Sequence, residues 1–207
     1  MMNRLAALAL LCAALGLTAC SSPAPIHHYT LLPPPAADGH PAAAPVPFLI
    51  DMLPVGLPEH LDQQPLVVRQ GRGGTVAVLD EERWVGPLGD ELRNALSVHL
   101  SERLGTQDVS GLASSAEQQV LRVKVQVRRL DAWPGNQVQL EAGWSLGFAN
   151  NSSKARLVCQ GRFNEAAADG YPALVQAQQR AVSALAARIA SDARAWGSSQ
   201  QAKCTVQ

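Results

Sequence analysis

Two spacings of apolar residues run through this chain, in separate segments. Period two is clearest where Leu121, Val123, Val125 and Val127 alternate with Arg122, Lys124, Gln126 and Arg128. That spacing places one face of a strand in a core and lines the other with polar side chains. After the turn residues Pro134-Gly135-Asn136, a second run carries Val138, Leu140, Ala142, Trp144, Leu146 and Phe148 on one face, with Gln137, Gln139, Glu141 and Ser145 on the other. Asn150-Asn151-Ser152-Ser153 turns the chain again, and Ala155, Leu157, Cys159, Gly161 and Phe163 then alternate with Arg156, Gln160 and Arg162. Runs of this kind joined by short polar turns predict an antiparallel meander with one covered face.

Helical spacing flanks the meander on both sides. Leu88, Leu92, Leu96, Leu100 and Leu104 recur every fourth residue between Pro87, suited to a first turn, and Gly105, suited to a left-handed cap. A second helix is predicted over Tyr171 to Trp196, where Leu174, Val175, Ala181, Val182, Leu185 and Ile189 share a face that can lie across the sheet. Upstream, Phe48–Leu53, Pro65–Gln70 and Thr75–Leu79 are short strand candidates, the last two separated by the turn Gly71-Arg72-Gly73-Gly74. That glycine run joins two strands and opens no helix, so it is a hairpin turn and not a phosphate-binding loop. The acidic triplet Asp80-Glu81-Glu82 reads as a solvated strand exit, and His99 as a boundary residue of the first helix.

The first residues follow a third pattern. Arg4, an uncharged apolar run from Leu5 to Leu17, and small residues before Cys20 have the order of a secretory signal. The run is also shorter than the roughly 20 residues needed to span a bilayer. Leu17-Thr18-Ala19-Cys20 resembles the bacterial lipobox, which implies lipid attachment at Cys20, cleavage before it and acylation of the new amino terminus. Several acyl chains anchor stably where one is marginal. Ser21 and Ser22 lack the aspartate that resembles an inner-membrane retention signal, so the outer membrane, facing the periplasm, is the expected address. Cys12 leaves with the signal, and Cys159 and Cys204 remain in an oxidising compartment. A disulfide between them is the favoured reading, against a buried free Cys159 and a loose tail.

From Pro33 to Pro47 the chain holds 6 prolines and 5 alanines, which favours extended polyproline II over any ladder. The segment reads as a tether, although the apolar island Ile26–Leu32 could instead dock as an edge strand and shorten it. The resulting division is a signal over 1–19, a lipidated tether over 20–45, a domain over 46–197 and a tail over 198–207.

Charge and composition then narrow the function. Seventeen Lys+Arg balance seventeen Asp+Glu, so there is no overall positive field to gather nucleic acid. The neutrality conceals Arg122, Lys124, Arg128, Arg156 and Arg162 on one strand face, partly balanced by Glu141. That face is either a solvated surface or a contact for anionic headgroups or a partner chain. The sequence has no nucleophile elbow, zinc-protease helix, phosphate loop or calcium loop. His27, His28, His40 and His60 lie in Pro-rich or loop segments without a defined set of further ligands. No catalytic residue, metal or cofactor is expected.

The stretch Leu53-Pro-Val-Gly-Leu-Pro-Glu-His-Leu-Asp-Gln-Gln-Pro-Leu-Val-Val-Arg69, then Arg83-Trp84-Val-Gly-Pro-Leu88, resembles the ABC-type transport auxiliary lipoproteins of the PqiC/YmbA group. Tyr29-x-Leu31, Glu141-Ala142-Gly143-Trp144 and Tyr171-Pro-Ala-Leu-Val175 extend the resemblance over nearly the whole mature chain. It departs where the family reads Leu-Asp-Arg-Pro-Gln and this chain has Leu61-Asp62-Gln63-Gln64-Pro65, losing an arginine. The resemblance implies an α/β sandwich, with two main helices packed on a mixed, largely antiparallel sheet. It also implies an outer-membrane-anchored auxiliary to an inner-membrane system whose MCE-domain protein spans toward it, serving phospholipid movement and envelope integrity. Self-association into a ring that receives the MCE tunnel extends the same idea. Leu57, Pro58, Leu61 and Trp84 are the first candidates for a docking surface, against the alternative that Trp84 packs under the first helix. Two other classes are an accessory lipoprotein of another outer-membrane machine and a lipid-modifying hydrolase.

Overall fold

The computed structural model describes residues 24–32, 44–71, 73–112, 118–149 and 155–204. The signal segment, Cys20, His40 and most of the Pro/Ala-rich stretch lie outside these residues. Strands β1 (His27–Tyr29), β2 (Leu49–Met52), β3 (Pro65–Arg69) and β4 (Val76–Trp84) precede helix α1 (Leu88–Leu104). Strands β5 (Val120–Trp133), β6 (Gln137–Phe148) and β7 (Leu157–Ala166) follow, and helix α2 (Tyr171–Ser199) closes the order.

The strands fall into two mixed sheets. In the larger, of order β2-β5-β6-β7, the predicted meander is antiparallel and β2 is added parallel to β5. In the smaller, of order β1-β4-β3, β3 and β4 form the predicted hairpin and β1 is added parallel to β4. Both helices lie on the inward face of the larger sheet: Val123, Val125, Leu140, Leu146, Leu96 and Leu185 are fully buried in one shared core. The leucine stripe of α1 and the apolar face of α2 are thereby both removed from water, each such side chain contributing about 1.5–3 kcal/mol. Gly105 ends α1 in the left-handed conformation, φ 60°, and its N–H returns to the Ser101 carbonyl. A Cβ is disfavoured at that φ.

The loop after α1 is held by Asp108. Its carboxylate accepts hydrogen bonds from Ser97 Oγ at 2.6 Å, Ser110 Oγ at 2.7 Å, Ser110 N at 3.0 Å and Met52 N at 3.1 Å. Burial works to raise its pKa, but these donors together outweigh burial and hold the carboxyl below its ordinary range.

The acidic triplet does not end its strand: β4 continues through Asp80-Glu81-Glu82 to Trp84. The reason is non-local. Glu82 accepts a hydrogen bond from Tyr29 Oη at 2.6 Å and pairs with His27 Nδ1 at 3.0 Å, so β1 partners the charge that local sequence alone would leave to water. Desolvation, then this hydrogen bond and the Glu82 charge, push the Tyr29 hydroxyl up to about 12. Next along the chain, Leu31 is fully buried, and Glu91 Oε2 accepts from Leu31 N at 2.8 Å and Thr30 Oγ1 at 2.7 Å. Gln179 of α2 donates to the Thr30 carbonyl at 2.9 Å. Of the two readings of Ile26–Leu32, the docked strand is the one formed, so packed structure begins well upstream of residue 46.

Candidate functional site

Among the described residues, the helices cover the larger sheet on one face only. Its other face carries Arg122 and Lys124 on β5 opposite Gly147 and Ser145 on β6, with Val158 of β7 beyond Ser145 and Arg156, just before β7, beside Gly147. Further along, Glu141 sits between Arg129 and Arg162, and Gly143 between Gln126 and Gln160. The central strand thus presents Gly143, Ser145 and Gly147 as a low floor, and long cationic side chains rise from its neighbours. The Arg156 side chain lies over Gly147, where an added methyl would come 3.1 Å from its Cγ.

A bulge adds a cation to this face. The β5–β6 register shifts between Val127 and Arg129, so Arg128 and Arg129 are both exposed in succession. Strand alternation does not assign Arg129 to this face; in the sequence its place shows only as the broken period at Arg128-Arg129. Among the described residues, three carboxylates meet this cationic set. Asp51 lies 3.3 Å from Arg122, Asp131 3.4 Å from Arg129 and Glu141 2.8 Å from Arg162. Arg69 of β3 also reaches Asp131 at 2.7 Å, closing that end of the face. Arg122, Lys124, Arg128, Arg129, Arg156 and Arg162 therefore exceed their local acids on a chain that is neutral as a whole.

Beside the free edge of β7 the face opens into a groove of about 780 Å³ lined by Trp144, Cys159, Arg162, Phe163, Arg188 and Cys204. Gly161 lets the aromatics meet: a Cβ there would lie 3.1 Å from the Phe163 ring and 3.3 Å from the Trp144 ring. Trp144 Nε1 donates to Asp192 at 3.0 Å beneath them. Cys159 and Cys204 are joined in a disulfide, which holds the tail beyond α2 against β7.

The predicted docking residues separate. Trp84 is 2% and Leu61 7% exposed, both in the core, so neither offers a surface; the alternative of Trp84 as a packing residue is the structural outcome. Leu57 and Pro58 are half-buried, Leu57 approaching Gly89 at the start of α1. Asp62, next to the position where the family's arginine is missing, accepts from the Gly89 N–H at 3.1 Å. Lipid attachment at Cys20 lies outside the described residues. Among them, no helix is long and apolar enough to cross a membrane.

The family described as ABC-type transport auxiliary lipoprotein component matches residues 29–190. The chain belongs to that family. This makes it a membrane-associated lipoprotein with an auxiliary role in transport. Comparison with curated proteins finds no match. Among solved structures, an uncharacterised protein superposes with a TM-score of 0.63 at 19% identity, over 81% of this chain and 98% of its own. A Xanthomonas campestris protein of family DUF330 superposes with a TM-score of 0.56 at 16% identity, over 81% of this chain and 93% of its own. Both are similar in fold.

Proposed function

We propose that this lipoprotein is held at the outer membrane, facing the periplasm, by acyl chains on Cys20, and docks there an MCE-domain protein reaching out from an inner-membrane transport system. The role is mechanical: the anchor sets the membrane, and the domain supplies the contact. The observation that supports this most directly is the uncovered face of the larger sheet, whose cations outnumber their acids on a neutral chain of a transport-auxiliary family. Such a face suits an acidic partner surface, steering encounter and fixing orientation. Tethering at the membrane raises the local concentration of the docking face for a partner standing in the same gap. A ring of several copies around the partner's tunnel, moving phospholipid between membranes, belongs to the same proposal.

The test is a triple charge reversal, Lys124→Glu, Arg128→Glu and Arg156→Glu, in the acylated protein. In vivo crosslinking should capture an MCE-domain protein with the wild type and lose it with the variant, while the melting temperature stays within a few degrees. Undiminished capture would remove the face from the proposal. Recovery of a β-barrel assembly protein in place of an MCE protein would replace the partner. Mass photometry showing only monomer at high concentration would remove the ring.

A further inference from the structure

Resting on the reading of Cys20 as the acylated residue, we propose that the open edge of β4, through Val76 and Val78, seats on the phospholipid leaflet that holds the anchor. β1 pairs only with Glu82–Trp84, so among the described residues Val76–Leu79 have β3 on one side and no strand on the other. On this open stretch Val76 is 45% and Val78 50% exposed. Exposed positions on β5 are polar or charged, whereas those of Val76–Leu79 are aliphatic. An exposed apolar edge is a liability that proteins ordinarily cover or charge.

The direction of the leader supplies the occupant. Because β1 runs parallel to β4, with His27 opposite Glu82, the chain upstream of His27 heads back along β4 toward Val76. Seven residue steps from His27 to Cys20 span at most about 23 Å, and six steps from Glu82 to Val76 span about 20 Å. A taut leader therefore ends level with the two valines, and a slack one brings the acyl chains closer to the domain. From Ala24, the first described residue, four steps to Cys20 allow no more than about 14 Å. The leader itself is a poor cover for the edge, because Pro23 and Pro25 have no N–H for a ladder. Residues 65–79 contain two arginines and no acid, and the exposed acids of the hairpin, Asp80 and Glu81, follow the two valines toward β1.

The test uses the mature acylated protein in vesicles of phosphatidylethanolamine and phosphatidylglycerol. It carries an NBD probe on Val78→Cys or, as reference, on Gln119→Cys. Gln119 is exposed just before β5 and lies about 40 Å along that strand from Asp131, which Arg69 of the hairpin touches. The probe at 78 should be blue-shifted, and its reduction by aqueous dithionite slowed severalfold relative to the probe at 119. Equal reduction at both sites on protein that floats with vesicles overturns the seat and leaves the anchor intact. Protection of position 78 in the soluble Cys20→Ala protein also overturns it, because a second copy or another strand then covers the edge. Mass spectrometry without acyl chains on Cys20, or failure to float, refutes the anchor and the seat with it.

Discussion

Replacing Leu31 by alanine should release the N-terminal strap while leaving the rest of the fold intact. The strap consists of β1 and the two residues after it, held by the β4 pairing, the Glu82 contacts, the Glu91 carboxylate and the buried Leu31 side chain. Leu31 is fully buried, and leucine-to-alanine changes at such sites cost about 2–5 kcal/mol. Taking about 3 kcal/mol, the strap's opening equilibrium shifts roughly a hundredfold, since 1.4 kcal/mol is a factor of ten. The assay is native-state hydrogen exchange at two reporter amides, Leu31 N–H bonded to Glu91 and Val85 N–H bonded to the Tyr29 carbonyl. Both should exchange roughly a hundredfold faster, while amides of β5 and β6 keep their rates. Acceleration of less than about fivefold, or equal acceleration in β5 and β6, would refute the strap as a separately opening unit. The functional consequence is length. In the proposed anchoring through Cys20, the docked strap leaves seven residue steps between Cys20 and His27, a span of at most about 23 Å. With it released, the next hold on the domain is Val46, whose N–H bonds the Leu104 carbonyl, and the 26 residue steps from Cys20 allow a leash of up to about 80 Å.

Three further outcomes follow from particular contacts. Removing the disulfide as Cys159→Ala with Cys204→Ala should cost up to about 4 kcal/mol by the chain-entropy model for a separation of 45 residues. Chemical denaturation under oxidising conditions measures it, and an unchanged midpoint would show that the tail is not restrained by the bond. Gly197→Ala should lower the melting temperature despite alanine's helix preference of about 1 kcal/mol. The reason is that the new methyl would overlap the buried Phe48 ring; a gain in stability would show that the ring yields freely. Burial, and then the Arg103 charge, lower the His99 pKa from 6.5 against the opposing pull of Glu102. Its contribution is therefore present above pH 6.5 and lost as pH falls through the depressed folded value. A His99→Leu variant should flatten that part of the stability–pH profile measured by thermal melts, and an unaltered profile would assign the loss to other groups.

The features legible in the sequence are those generated by near neighbours along the chain. Alternation from Leu121 to Phe163, the fourfold leucine spacing of α1, its stop at Gly105 and the hairpin turn at Gly71 each follow from local backbone geometry and side-chain period. The cationic face was visible for the same reason, because a strand of known period assigns its cations to one side. Apart from the bulge at Arg128-Arg129, what escaped was set by contacts across 50 residues or more. Whether Trp84 faced water depended on its burial in the shared core, and whether Glu82 ended a strand depended on Tyr29 and His27 arriving beside it. The division into two sheets, and the parallel addition of β1 and β2, rest on pairings that no local period encodes. A β-strand's period states which side chains share a face, but its edge hydrogen bonds accept any strand that the packed core brings within reach. Sequence alone therefore determined the elements and the charged face, while the tertiary structure decided which edges were filled.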